Sequence, residues 1–277
     1  MAAMLQEREA IGPERAGHVR ATWTLIAATP VVLLITHYLA VLPHEFTHSI
    51  LAWALGIKAD PWAIDWGGTS AANVLLLLHI DENVDYAAAL NAGNRVAVAL
   101  VALAGPILAN GGLYLLMRRL STATWVRGRP LVAFFVFWYL LMNLANLWCY
   151  IPVRTFASDG DIRHFIWATD ASPWLIMVVG GYLVLWAIIN LYRRVLPRSV
   201  VDTQLGTRAG RAFLLIVSTT VLFGYFAIPG FEESDPVSGF IAGTSVLAIP
   251  AVVVVTWCRV VGMTTSGRGA RRDVRPG

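Results

Sequence analysis

Residues 44–48 read His-Glu-Phe-Thr-His and stand inside an apolar run that extends from Ala21 to about Gly56. On a helix, positions i and i+4 share a face. His44 and His48 can therefore offer two imidazoles to one Zn²⁺, with Glu45 beside them. Zinc lowers the pKa of a bound water from 15.7 to roughly 7, and a neighbouring carboxylate can take the proton. Glu45 is then the general base and not a ligand. The bland alternative is a chance match to a motif with three fixed positions. Against it, Glu45 is the only formal charge in the run, and an acidic group at the centre of a membrane helix costs roughly 2.5 kcal/mol or more. A metal supplies the compensation that three clustered ionisable groups need in hydrocarbon.

A catalytic zinc usually takes three protein ligands, so the third must come from elsewhere. His18 lies in the N-terminal segment and His79 in a long connection, while Glu232 and Glu233 read as a solvated turn. The best remaining stretch is Ser158-Asp159-Gly160-Asp161. Asp159, next to a glycine where the backbone can turn toward a helix face, is the expected ligand. Asp161 and His164 are the reserves. His37 precedes His44 by two helical turns; it can line a wet approach to the metal, but a hydrogen bond to a neighbouring element is the simpler expectation.

These groups need a scaffold, and composition limits what it can be. The chain has 277 residues, of which 57% are apolar and only 14% charged, against about 25% charged in soluble domains. That composition excludes disorder and a soluble fold, and it predicts an all-α polytopic membrane protein. Six runs approach the roughly 20 apolar residues that a bilayer requires: Ala21 to about Gly56, Val96–Met117, Leu131–Pro152, Pro173–Tyr192, Ala212–Pro229 and Val237–Cys258. The first is too long for one straight crossing. Pro30 and Pro43 suggest one tilted helix from about Pro30 to Gly56, or a break at Pro43. The connection 57–95 contains Asn73–Ile80, too short to span, which reads as a short strand or a re-entrant segment.

Seventeen of the 21 Lys and Arg residues fall on one side of six alternating crossings, and only Lys58, Arg95, Arg154 and Arg163 on the other. The positive-inside rule then places both termini in the cytoplasm of a cell-membrane protein. Clustered between apolar runs, these arginines read as topological signals; no nucleic-acid partner is expected. Cys149 and Cys258 fall near opposite membrane faces and should not pair.

His44–Gly56, HEFTHSILAWALG, resembles the zinc-motif helix of the site-2 protease family of intramembrane metalloproteases. Ala104-Gly105-Pro106 followed by Asn110 resembles that family's AGP element. Asn146, Pro152 and Asp159-Gly160 resemble its Asn–Pro–Asp–Gly element. The resemblance covers about residues 40–165. It implies Zn²⁺ held by His44, His48 and Asp159, and an asparagine that positions the substrate backbone, for which Asn143 and Asn146 are equal candidates. It implies cleavage of a membrane-protein substrate within or near a transmembrane segment.

The expected organisation is a cytoplasmic segment 1–20, a metalloprotease core 21–165, further membrane helices over 166–262 and a basic disordered tail 263–277. The competing expectations are a zinc-binding scaffold without turnover and a transporter. The latter is disfavoured because the fifth and sixth runs carry little polarity beyond Ser218, Thr219, Thr220, Thr244 and Ser245.

Overall fold

The computed structural model describes residues 13–262. The expectations for residues 1–12 and for the tail 263–277 lie outside these described residues. Six helices are long and apolar enough to cross a membrane: Val19–Ala54, Arg95–Leu120, Pro130–Val153, Pro173–Asp202, Arg208–Glu232 and Pro236–Val260. They are called the first to sixth spans below. No strand occurs among the described residues, so the protein is an all-α polytopic membrane protein.

The third span is the hub. Its most apolar window is 78% buried within the protein, against 11% for the sixth span, which is mostly lipid-facing. Phe134, Phe137, Trp138, Leu140, Leu141 and Leu144 form the centre of the core, met by Leu191, Leu214 and Leu215 from later spans. Such all-round burial explains why this helix is apolar on every face.

The first span belongs to one continuous helix, Pro13–Ala54, that passes through both prolines. Its 42 residues would measure about 63 Å. The helix thus begins well before Pro30, and residues 13–20 are its first turns, not a separate segment. A proline removes the bond to the carbonyl four residues earlier, which for Pro43 is that of Leu39. The Tyr139 hydroxyl of the third span donates to that carbonyl at 2.9 Å. Membrane helices tolerate proline when a neighbour satisfies the freed group, so the motif stays helical without a break.

Ion pairs mark the two ends of the bundle. Arg118 bonds Asn190 and Arg127 pairs with Asp202 at one end. Arg95 pairs with Asp170 and Arg154 with Glu233 at the other. These pairings fit six antiparallel spans. The cysteines are unpaired: Cys149 is buried and Cys258 exposed.

The connection after the first span folds back along it. A lone backbone bridge pairs Asp65 with Asp81 in place of a strand, and Ala71–Leu76 forms a short helix capped by the Ser70 side chain. Ser49 Oγ donates to Pro61 O at 2.7 Å, and His37 Nε2 bonds Leu76 O at 2.7 Å. The segment therefore reaches to the level of His37, about 10 Å along the helix from His44. Lys58 ties its base together by donating to the carbonyls of Ala63, Glu82 and Asn83. Val74, Leu75 and Leu78 face outward, as an apolar segment lying against lipid would.

Candidate metal centre

Three side chains converge from two places in the sequence. His44 Nε2 lies 3.1 Å from His48 Nε2 and 3.0 Å from Asp161 Oδ2, and His48 Nε2 lies 3.4 Å from Asp161 Oδ1. All three residues are buried. The histidines meet because they are one helical turn apart on the first span. Asp161 arrives from the start of a short helix, Asp161–Thr169, that follows the third span.

The second nitrogen of each ring is already committed. His44 Nδ1 bonds Asn110 Oδ1 at 2.6 Å, and His48 Nδ1 bonds the Val101 carbonyl at 2.6 Å. Both partners can only accept there, so both Nδ1 atoms carry the proton and both Nε2 atoms turn lone pairs inward. In the neutral rings two Nε2 lone pairs and the Asp161 carboxylate face one another, a donor set that suits a cation. Imidazoles oriented through an outer hydrogen bond are the usual arrangement in metal sites.

The spacings test the fit. An ion with bonds of about 2.0–2.1 Å to tetrahedral ligands separates those ligands by about 3.3 Å. The observed separations of 3.0, 3.1 and 3.4 Å bracket that value. Room beside the two Nε2 atoms depends on Gly105. A Cβ at that position would lie 2.1 Å from His48 Nε2 and 2.5 Å from His44 Nε2.

The second span is shaped to provide these supports. Pro106 has no N–H to donate, and the helix widens to π geometry over Ala104–Gly111. The Val101 carbonyl, which accepts from the Ala104 N–H, takes a second bond from His48, and the widened turn brings Gly105 and Asn110 to the first span. Asn110 Nδ2 also donates to Ala40 O and to Asn143 Oδ1, both at 3.1 Å. On its outer face the His44 ring stacks on Tyr150, with centroids 4.6 Å apart.

Glu45 is 6% exposed and lies next to the cluster. Its carboxyl lies within electrostatic reach of His48, Asp161 and Glu82, the last from the 57–95 connection. Glu82 is itself buried and accepts from the Tyr86 hydroxyl. Burial pushes the Tyr86 phenol far above its ordinary range, so it is a donor at any ordinary pH. Its ring in turn stacks on His164.

Asp159, the expected third ligand, does not face the histidines. Its side chain is 78% exposed and pairs with His164 at 3.1 Å. Gly160 adopts φ +99° and ψ −178°, a conformation essentially confined to glycine. That turn sends Asp159 outward and Asp161 inward, so the residue after the glycine joins the cluster. Neither expected substrate-positioning asparagine reaches it directly. Asn143 is linked to His44 only through Asn110, and Asn146 bonds back to Met142 O. His37 takes the simpler of its two expected roles, bonded to the connection at Leu76.

Sequence reasoning did not single out Glu82 or Tyr86, which no local pattern marks, and it gave Asn110 no role beyond the resemblance. Neither a protein-family model, nor a curated protein, nor a solved structure matches this chain.

Proposed function

We propose that the protein is an intramembrane zinc metalloprotease of the site-2 protease kind, hydrolysing peptide bonds within or near transmembrane segments of other membrane proteins. One observation carries this reading: His44, His48 and Asp161 converge in a buried cluster with Glu45 alongside. His44, His48 and Asp161 would hold the ion, with Asp161 taking the place expected for Asp159. Zn²⁺ bound there would supply Lewis acidity, polarising a scissile carbonyl and acidifying water.

The chain's own residues supply the rest. Glu45 is placed to accept a proton from water at the cluster and to return it to the leaving nitrogen. Glu82, itself held by the Tyr86 hydroxyl, brings a second buried carboxyl to the side of Glu45. Asn110 and the Val101 carbonyl fix the imidazole tautomers. A helical substrate would have to unwind locally, because its peptide bonds are covered and already hydrogen-bonded; helix-breaking residues near the scissile bond would help.

The cluster draws on the later half of the first span and the early half of the second, toward the arginine-poor end of the bundle. With both termini cytoplasmic in the cell membrane, cleavage would occur in the outer half of the bilayer. A zinc-binding scaffold without turnover would share every ligand contact and differ only in cleaving nothing.

The deciding experiment co-expresses the protein with a library of single-pass membrane proteins and compares it with Glu45→Gln by terminal proteomics. New termini within transmembrane segments that vanish in Glu45→Gln are the expected result. Zinc bound stoichiometrically with no Glu45-dependent fragment would leave the scaffold reading instead.

A further inference from the structure

At the arginine-rich end of the bundle, two cavities of about 510 and 550 Å³ share Asn190 and Arg194 as a common wall. The first is lined by Arg193, Arg194 and Arg259, the second by Arg118, Arg119, Arg194 and Arg198. Among the described residues none of these six arginines has a carboxylate within ion-pair distance. The nearby Asp202 is taken by Arg127. Topology alone explains arginines at helix ends, but it does not explain why they should surround a hollow.

The wall between the cavities is built. Asn190 is 8% exposed, and its Oδ1 accepts from Arg118 Nε at 3.2 Å, while its Nδ2 donates to nothing among the described residues. It is thus an accessible amide donor in the wall shared by the two hollows. Arg118 is held further by Trp186, whose ring centroid is 5.2 Å from the guanidinium carbon. Directly after Asn190 the fourth span widens to π geometry over Leu191–Val195. Single π turns are concentrated at functional sites, and here the turn carries Arg193 and Arg194.

The membrane side of the same hollows is apolar. Leu115, Trp186 and Ile189 line them and are exposed on the outer surface of the bundle. A ligand seated here meets guanidinium groups at one end and hydrocarbon at the other. Guanidinium forks match phosphate oxygens in geometry as well as charge, and basic pockets between membrane helices suit anionic headgroups.

We propose that these cavities bind the phosphate headgroup of an anionic glycerophospholipid, with its acyl chains along Leu115, Trp186 and Ile189. Arg119, Arg194 and Arg198 pair with the phosphate oxygens, and the Asn190 amide donates to the phosphate or the glycerol hydroxyls. The lipid ties the second, fourth and sixth spans together at the end away from the metal cluster.

Native mass spectrometry of the purified full-length protein tests this. The delipidated protein is offered equal amounts of phosphatidylglycerol and phosphatidylcholine, then, separately, inorganic phosphate and glycerol 3-phosphate as competitors. The expected result is at least tenfold preference for phosphatidylglycerol, abolished in Arg119→Gln/Arg194→Gln. It should persist in Arg20→Gln/Arg208→Gln, which removes two exposed charges that line neither cavity. All four positions are exposed, and unchanged melting temperatures would show that the variants fold. Equal loss in both double variants, or no preference in the wild type, would overturn the site. Displacement of the lipid by millimolar inorganic phosphate would overturn its assignment to a lipid in favour of a soluble phosphate.

Discussion

His44 Nε2 lies 3.0 Å from Asp161 Oδ2, a contact between residues 117 positions apart in sequence. It joins the first span to the turn after the third, and it makes Asp161 the acid of the cluster. Asp161→Ala should therefore lower zinc affinity by more than the roughly 10–100-fold that loss of an outer-shell partner costs. Asp159→Ala should leave zinc content unchanged, since that carboxyl is solvent-exposed and faces His164. Equilibrium dialysis against a zinc buffer checks both, and the reverse pattern would restore Asp159 as the ligand.

Asn110 holds His44 through Nδ1 while its own amide bonds Ala40 O and Asn143 Oδ1. Asn110→Leu should weaken zinc binding by about 10–100-fold, because the His44 ring loses the acceptor that fixes its tautomer. Chelator competition measures the affinity, and a parallel melting curve separates this effect from general destabilisation. An unchanged affinity would mean that the Tyr150 stack alone orients the ring.

Much of this architecture was legible before any coordinates. Long uncharged runs have one stable solution in lipid, so the six spans and the Glu45 anomaly stand out from sequence. What failed was decided by tertiary partners and by one backbone angle. Pro30 looked like a helix start, yet the helix runs unbroken from Pro13. At Pro43 the preferred reading of an unbroken helix over the alternative of a break holds, because Tyr139 of the third span satisfies the carbonyl that the proline frees. Asp159 of the Asp-Gly pair was the expected ligand, but the φ of +99° at Gly160 turns the next carboxylate, Asp161, toward the histidines. Glu82 was invisible because its meaning arises only when the connection folds back onto the first span.

Gly105 leaves no space for a methyl group beside the histidines. Gly105→Ala should displace one imidazole or push the second span away. Overpacking of this kind costs about 1–3 kcal/mol, and zinc stoichiometry should fall with it. Gly112→Ala is the control on the same helix, since nothing lies within 4 Å of a Cβ there. Equal zinc content in the two variants would show that the cluster has more room than its geometry indicates.

Tyr86 donates to Glu82 in a buried environment, and removing the hydroxyl strands one acceptor away from water. Tyr86→Phe should destabilise the protein by about 1–3 kcal/mol at neutral pH. The sign of the pH dependence follows from burial, which raises the folded phenol far above its ordinary value of 10.0. A group whose folded pKa is raised stabilises fully below its unfolded pKa and loses that contribution as pH rises beyond it. Wild type should therefore exceed Tyr86→Phe by a constant margin up to about pH 10. Above that the margin should shrink, because the unfolded phenol ionises while the folded one keeps its proton. Thermal melts of both proteins from pH 7 to 11 measure it. A margin that stays flat across that range would show that Tyr86 reaches solvent and does not hold Glu82 in a buried site.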